Sequence, residues 1–464
     1  MGRQSPSDGL GQAVWRRTRL LYDAGPHIRD FSALGRATDD ASGHPLGRQR
    51  SGRLTRTEQG GTGLLAPLAQ PNYRHLLLSS ILWWQTYSIW VVVAGVVVLD
   101  MTDSALAVAL LTFWRRAAQL AFGGFAGFIG DRLGRRNTLT LSQVVIFAAC
   151  VSLLLLFEGD RLNAWQITAA AFIIGAGWTV DAPARAALVP DLLGSRLSAD
   201  AMMLESLTHS ILIGVGAYLA GWLLDSYGAA AGFGALIALT GANLALLIWL
   251  GRIQVPQTIP VADGSVWRSI GEGVNYLRSN RAMLVVVLVS ALVNVMVFPA
   301  LSLMPVFARD VFERGAIGLG TLNGSYSIGL FAGLFLTQRL RRSLSFYSIF
   351  VAGTLLQCVA WVLFALSPLF NLAILLQFLA GVGQAGFYAM RNVILLTSSS
   401  NEMRGRAMST VALSQGVGLP GELVTGSLAE SAGPRLAVSV QGAIATLAAL
   451  GIFWKGKSDR ATSH

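Results

Sequence analysis

The sequence predicts an all-α integral membrane protein with twelve transmembrane helices in two pseudo-symmetric six-helix bundles. Three observations carry this. Only 13% of the 464 residues are charged and 53% are hydrophobic, with a mean hydropathy of +0.56, whereas an ordinary soluble domain carries about 25% charged residues. The apolar residues fall in runs of about 20, the length at which a helix crosses a hydrocarbon core of about 30 Å. The second part of the chain also repeats features of the first at a fixed spacing.

The runs read as helices because a backbone in lipid must satisfy its own hydrogen bonds. From Tyr73 onward the spans fall at 76–99, 104–129, 138–157, 164–187, 201–224, 230–250, 282–308, 317–337, 346–366, 370–396, 407–429 and 435–454. Residues 1–71 are rich in Arg, Gly, Ser and Asp and lack a sustained apolar period. That composition predicts a disordered cytoplasmic tail or, second, a reading frame extended upstream of the true start, and it contains no apolar core of a signal peptide. The remaining divisions are a bundle over 72–251, a cytoplasmic linker over 252–281, a second bundle over 282–455 and a tail over 456–464. The linker opens with Val255-Pro256-Gln257-Thr258-Ile259-Pro260. It continues into an interfacial helix, Val266 to Asn280, with Trp267, Ile270, Val274 and Leu277 on one face.

The net charge of +11 is almost all arginine, Lys455 and Lys457 being the only lysines. Its placement indicates orientation rather than nucleic-acid binding. With the N-terminus inside, the inner connections hold Arg132, Arg135, Arg136, Arg196, Arg252, Arg268, Arg278, Arg281, Arg339, Arg341, Arg342, Arg404 and Arg406. The outer ones hold Arg161, Arg309, Arg314 and Arg435. The bias puts both termini in the cytoplasm of a multi-pass inner (plasma) membrane protein. Cys150 and Cys358 lie inside apolar runs and read as small buried residues, not as a disulfide or metal site. Gly451-x-x-x-x-Gly456-Lys457-Ser458 matches a phosphate-loop pattern, but a membrane helix precedes it where the loop needs a strand. No cofactor, metal or catalytic constellation is expected, which excludes the enzyme classes that depend on one.

The repeat has an offset of 206. Phe125-Ala126-Gly127 falls on Phe331-Ala332-Gly333, Arg135-Arg136 on Arg341-Arg342, Gly175-x-Gly177 on Gly381-x-Gly383, and Arg185 on Arg391. One register over spans two to four and eight to ten points to duplication of a six-helix unit, with a binding site between the units near the midplane.

Between spans two and three stands Gly127-Phe128-Ile129-Gly130-Asp131-Arg132-Leu133-Gly134-Arg135-Arg136. It resembles the loop motif of the major facilitator superfamily. Gly127 permits close helix approach, Gly134 a sharp turn, and Asp131 a latch to a helix end or an arginine that breaks when the protein changes state. The second copy, Thr337-Gln338-Arg339-Leu340-Arg341-Arg342, lacks the Asp and the Gly. Asp181-Ala182-Pro183-Ala184-Arg185, Arg404-Gly405-Arg406 and Glu272-Gly273 with Tyr276-Leu277-Arg278 further resemble the branch of enterobactin exporters and macrolide efflux proteins. The resemblance covers roughly 72–455 and implies the major facilitator fold and export of a small amphipathic compound, drug or siderophore-like, by an ion-driven monomer. Two departures weigh against simple proton antiport. Tyr87 stands where members of that branch often carry an Asp, and Ala217 where the antiporter pattern has a Pro. A nutrient importer and a non-transporting receptor or assembly protein on this fold remain open.

Charged residues inside a span require a partner or a watery cavity. Arg115 and Arg116 lie well inside span two, and Arg115 matches an Arg that recurs in the family. Either holds an anionic group of a cargo or pairs with a carboxylate, and Gln119 shares the face of Arg115 one turn on. Glu422, inside span eleven, is the candidate coupling group for a proton or another ion, because a desolvated carboxyl suits reversible protonation; an arginine's structural partner is the other reading. Asp181 and Arg185 are one turn apart and read as a gating latch or, second, as substrate ligands. Glu205 and His209 share a face of span five and read as structural. Trp84, Tyr87, Asn294, Gln384 and Tyr388 complete the predicted cavity, and Gly127, Asp131, Arg132, Gly134, Arg135 and Arg136 with Asp181 and Arg185 the predicted gate.

Overall fold

A computed structural model describes residues 64–123, 125–250, 281–397 and 417–461. All regular structure among these is helical. Span one is Pro71–Thr102, entered through a short turn at Ala66–Ala69, and span two is Ala105–Gly123. A short helix, Ala126–Leu133, leads to Gly134, whose φ of 78° allows the chain to reverse into span three, Arg135–Glu158. Spans four to six run through Ala164–Leu250, broken where Gly194 (φ 70°) and Gly228 (φ 77°) leave helical geometry. Spans eight, nine, ten and twelve are Gly315–Leu340, Phe346–Leu366, Phe370–Thr397 and Pro434–Ala461, and Leu419–Ala432 is the described part of span eleven.

Ten described segments are long and apolar enough to cross a bilayer, one of them Leu197–Trp249. Gly228 divides that segment into the stretches expected for spans five and six, and Leu419–Ala432 falls where span eleven is expected, so the described residues are consistent with twelve spans.

Three details differ from the predicted spans. Span two ends at Gly123 rather than 129, and the residues from Ala126 form a separate helix. Span four continues to Gly194, past Pro183 and Pro190. Span seven is not one rod: Arg281–Met296 gives way to Pro299–Ser302, Met304–Val306 and a wide turn at Phe307–Val311. Pro299 and Pro305 lack the N–H that would continue the ladder. The predicted linker helix, Arg404, Arg406 and the predicted N-terminal tail up to residue 63 lie outside the described residues, as does the Asp131 side chain.

Large apolar side chains point outward along the helices, among them Leu155, Leu363 and Leu447, while Trp165, Tyr227, Trp249 and Trp454 are exposed near helix ends. This is the pattern of a surface solvated by lipid with an aromatic belt. The buried seams are made by small residues. A Cβ on Gly175 would meet span two at the Arg115 carbonyl, and one on Gly177 would meet span three at Ile146. Their repeat equivalents behave alike, Gly381 meeting span eight at the Tyr326 carbonyl and Gly383 meeting span nine at Gln357.

Candidate functional site

At mid-depth three helices converge on one carboxylate. Glu422 is fully buried, with its Oε1 3.1 Å from Arg116 Nε of span two. Neither of those two atoms has a directed hydrogen bond, so the contact is a charge pair without good N–H alignment. The other oxygen, Oε2, accepts from Ser302 Oγ at 2.9 Å. Local sequence explains the convergence. Ser302 sits in the segment that Pro299 and Pro305 detach from span seven. Gly421 lets span eleven close on span seven, since a Cβ there would lie 2.2 Å from the Val295 carbonyl oxygen.

Aromatic rings flank this carboxylate. The Arg115 guanidinium lies 5.6 Å from the Tyr87 ring centroid, and Tyr87 packs on Trp178 at 4.7 Å. Tyr388 stacks on Phe298 and lies under the Arg391 guanidinium, which sits 4.7 Å from its ring centroid, with Gln384 one turn before it on span ten. Arg115 and Ser302 also line a cavity of about 40 Å³, with Trp90, Gly95, Pro305 and Asn323. The structure therefore brings together Tyr87, Arg115, Gln384, Tyr388 and Glu422 of the predicted residues. Trp84 packs against His209 with ring centroids 3.7 Å apart and the planes tilted by 41°, and meets Tyr87 edge-on at 5.9 Å. Asn294 is buried and donates to its own helix at the Ser290 carbonyl, 2.7 Å away, and Gln119 is exposed. A separate cleft of about 890 Å³ opens between spans five and eight, lined by Gly214, Tyr218, Trp222, Ile328 and Phe378.

Toward the end of the bundle that carries Gly134, Asp181 and Arg185 pair at 2.9 Å within span four. Gln143 Nε2 donates to Asp181 at 3.0 Å, and Arg185 donates to Ser79 Oγ at 3.0 Å and Ser80 Oγ at 3.3 Å. Ser79 donates to Asn243 and Ser80 to Glu205. The network ties spans one, three, four, five and six and satisfies charges that would otherwise be costly to bury. Nearby, Arg135 pairs with Asp191 and donates to the Ala187 carbonyl at 3.0 Å. Arg132 is exposed, and Arg136 Nε is buried without a hydrogen-bond partner. The sequence reading did not single out Asp191, although an acid directly after Pro190 at a helix end was a usable signal. Ser79, Ser80 and Gln143 carried none, because hydroxyls and amides in apolar spans are common.

The opposite end holds ties that sequence reading missed. Arg309 pairs with Asp103, approaches Asp100 at 3.6 Å, and donates to the Leu99 carbonyl at 3.0 Å. Asp103 and Arg309 are 206 residues apart, so they occupy equivalent positions of the repeat. Equivalent positions can touch only near the axis that relates the repeats. Glu430 accepts from Ser104 Oγ at 3.1 Å and from the Leu106 N–H at 3.2 Å, capping the start of span two. Backbones are pressed close here as well: a Cβ on Gly221 would lie 2.3 Å from the Ala316 carbonyl oxygen, and one on Gly426 2.6 Å from Ala109. Those two contacts are related by the repeat to within one residue.

The family described as transmembrane secretion effectors, within the major facilitator superfamily, matches residues 62–460. The chain belongs to this family. Macrolide efflux protein A of Streptococcus pyogenes is 25% identical over 265 residues, 55% of this chain and 64% of that protein. This chain thus spans a little under two thirds of the length of that relative. The Enterococcus faecalis protein of the same name is 26% identical over 245 residues, 50% of this chain and 73% of that protein. Among solved structures, a bacterial homologue of the human lysosomal transporter Spinster superposes with a TM-score of 0.67 at 14% identity, covering 83% of this chain and 97% of that one. The xylose transporter XylE of E. coli gives 0.63 at 12% identity, covering 82% and 95%. The fold is that of major facilitator transporters, and the chain is a helical, multi-span member of the transmembrane secretion effector family.

Proposed function

We propose that this transporter exports a small amphipathic compound by alternating access, driven by an ion gradient, as a monomer in the plasma membrane. The moving parts are the bundles over 72–251 and 282–455. The excess of arginine at the Gly134 end assigns that end to the cytoplasm. The ties of Arg309 and Glu430 then close the external face, and cargo loads from the cytoplasm, as an exporter requires. Macrolide efflux by relatives is the reason to place drugs and other amphipathic compounds first among cargoes.

The observation that carries the reading is the Arg116–Glu422–Ser302 contact. It joins span two to spans seven and eleven, so the two bundles share one buried charge pair. Protonation of Glu422 removes its charge and with it the hold on Arg116. Cargo loaded from the cytoplasm opens the central and external ties and exposes the site outward, where Glu422 takes a proton from outside as the cargo leaves. The protonated carrier returns and gives the proton to the cytoplasm, which restores the pair, so one proton enters for each cargo exported. The predicted Asp131 latch and the Arg135–Asp191 pair form the cytoplasmic gate of this cycle.

The same pair also favours a second reading, in which Glu422 only neutralises Arg116 and movement of cargo is passive; Tyr87 and Ala217 in place of the antiporter residues point the same way. Efflux of dyes, macrolides and siderophores from expressing cells, with and without a protonophore and alongside Glu422→Gln, separates the two. Efflux that stops with the protonophore and in Glu422→Gln supports coupling at Glu422. Efflux that survives both makes the pair structural.

A further inference from the structure

Three arginines surround the central tyrosines, and the Glu422 carboxylate is already engaged by Arg116 and Ser302. Arg115 forms no ion pair among the described residues; its guanidinium lies over Tyr87 and lines the small central cavity. Arg391 is more isolated. It is only 4% exposed, and among the described residues its Nη1 has no hydrogen-bond partner and its Nε reaches only Asn392 Oδ1, at 3.3 Å. Its guanidinium packs over Phe387 at 5.5 Å and Tyr388 at 4.7 Å.

The repeat sharpens the contrast. Arg185, the equivalent of Arg391, is neutralised by Asp181 and supported by Gln143, Ser79 and Ser80. The positions equivalent to those four are Phe387, Ile349, Val285 and Val286. The second half therefore keeps the cation and has an apolar side chain at each of those four positions. A guanidinium held this way offers unused, charge-assisted donors to an acidic group. The two cations flank one cluster: Arg115 lines the small cavity together with Ser302, and Phe298, four residues before Ser302, stacks on Tyr388 under the Arg391 guanidinium.

We propose that Arg115 and Arg391 form an anion-recognition pair, and that the cargo is an organic anion: a carboxylate or comparably acidic group on an aromatic body. The acidic group engages the guanidinium donors, while the rings of Tyr87, Trp178, Phe298 and Tyr388 take the flat apolar part. Cationic compounds of the same shape are rejected, because they would bring a third unpaired cation beside Arg115 and Arg391. This rests on the reading of the mid-membrane cluster as the cargo site.

The test uses purified full-length protein in lipid nanodiscs. Tryptophan fluorescence is titrated with 2-naphthoate and salicylate, and with the ammonium compounds of matched shape. The anions bind about tenfold tighter or more than their matched cations. Arg391→Gln and Arg115→Gln each reduce that ratio to about threefold or less, and Arg391→Lys retains part of it. A ratio near one in the unaltered protein, a preference for cations, or a preference unchanged in both Gln variants would overturn the proposal. So would a variant that lowers thermal stability while leaving the ratio intact, since that is a structural arginine. Flux of the same probes in proteoliposomes is read separately. Anions that bind through these arginines but are not moved refute the exporter reading alone. Export of cations regardless of Arg115 and Arg391 refutes the anion site alone.

Discussion

Removing Arg116 strips the buried Glu422 of the one counter-ion it has at contact distance among the described residues and leaves it the Ser302 hydroxyl. The arginine side chain is 14% exposed and the glutamate fully buried, so solvent screening offsets little of the loss. Breaking a buried pair from one side costs about 3–5 kcal/mol, most of it from the charge left behind. We expect the lower end, about 3 kcal/mol, for Arg116→Gln, because Ser302 still donates to the carboxylate. Glu422→Gln strands Arg116 instead, and its cost is similar. The double variant leaves no stranded charge, so it is more stable than either single one. The three variants and the parent are compared by reversible unfolding in detergent, as a double-mutant cycle. If the double variant loses the sum of the two single losses, the side chains do not interact and the central tie is not real.

The ties at the end opposite Gly134 are weaker, since the Arg309 side chain is 30% and that of Asp103 86% exposed. A pair of that kind is worth about 0.2–1 kcal/mol, so Arg309→Gln raises the outward-open population by about fivefold at most; cysteine accessibility from the external side would show this, and an unchanged pattern would count against the latch. Gly421→Ala forces a Cβ onto the Val295 backbone and costs about 1–3 kcal/mol as an overpacked contact; a melting temperature equal to the parent's would refute the close approach of spans seven and eleven. Cys150 and Cys358 are free and fully buried, so maleimide labels neither until the protein is unfolded; rapid labelling of the folded protein would contradict their packing.

Most of the fold was legible because bilayer thickness imposes a length on every span and small residues mark the seams. Gly134 was read as a turn and adopts a positive φ; the paired glycines of spans four and ten were read as a repeat and meet equivalent helices. The breaks in span seven were visible as Pro299 and Pro305, yet its apolar composition outweighed them in the reading of one continuous helix. The site was legible as a list of unusual residues, not as a set of contacts. Arg116 and Glu422 each stood out as charges in apolar runs, but nothing in either run says that they meet. In the sequence Arg309 reads as one more loop arginine, although its 206-residue separation from Asp103 marks both as equivalent positions. Arg391 was recognised only as a repeat match; the loss of its counter-charge shows when Asp181 is set against Phe387.

The most direct test of coupled export is cargo movement from cells expressing the protein, measured with and without a protonophore, for the parent and for Glu422→Gln. The account predicts efflux from the parent that the protonophore abolishes, and none from Glu422→Gln. Efflux that continues in both cases would contradict coupling at Glu422, and absence of movement for every dye, macrolide and siderophore tried would contradict export itself.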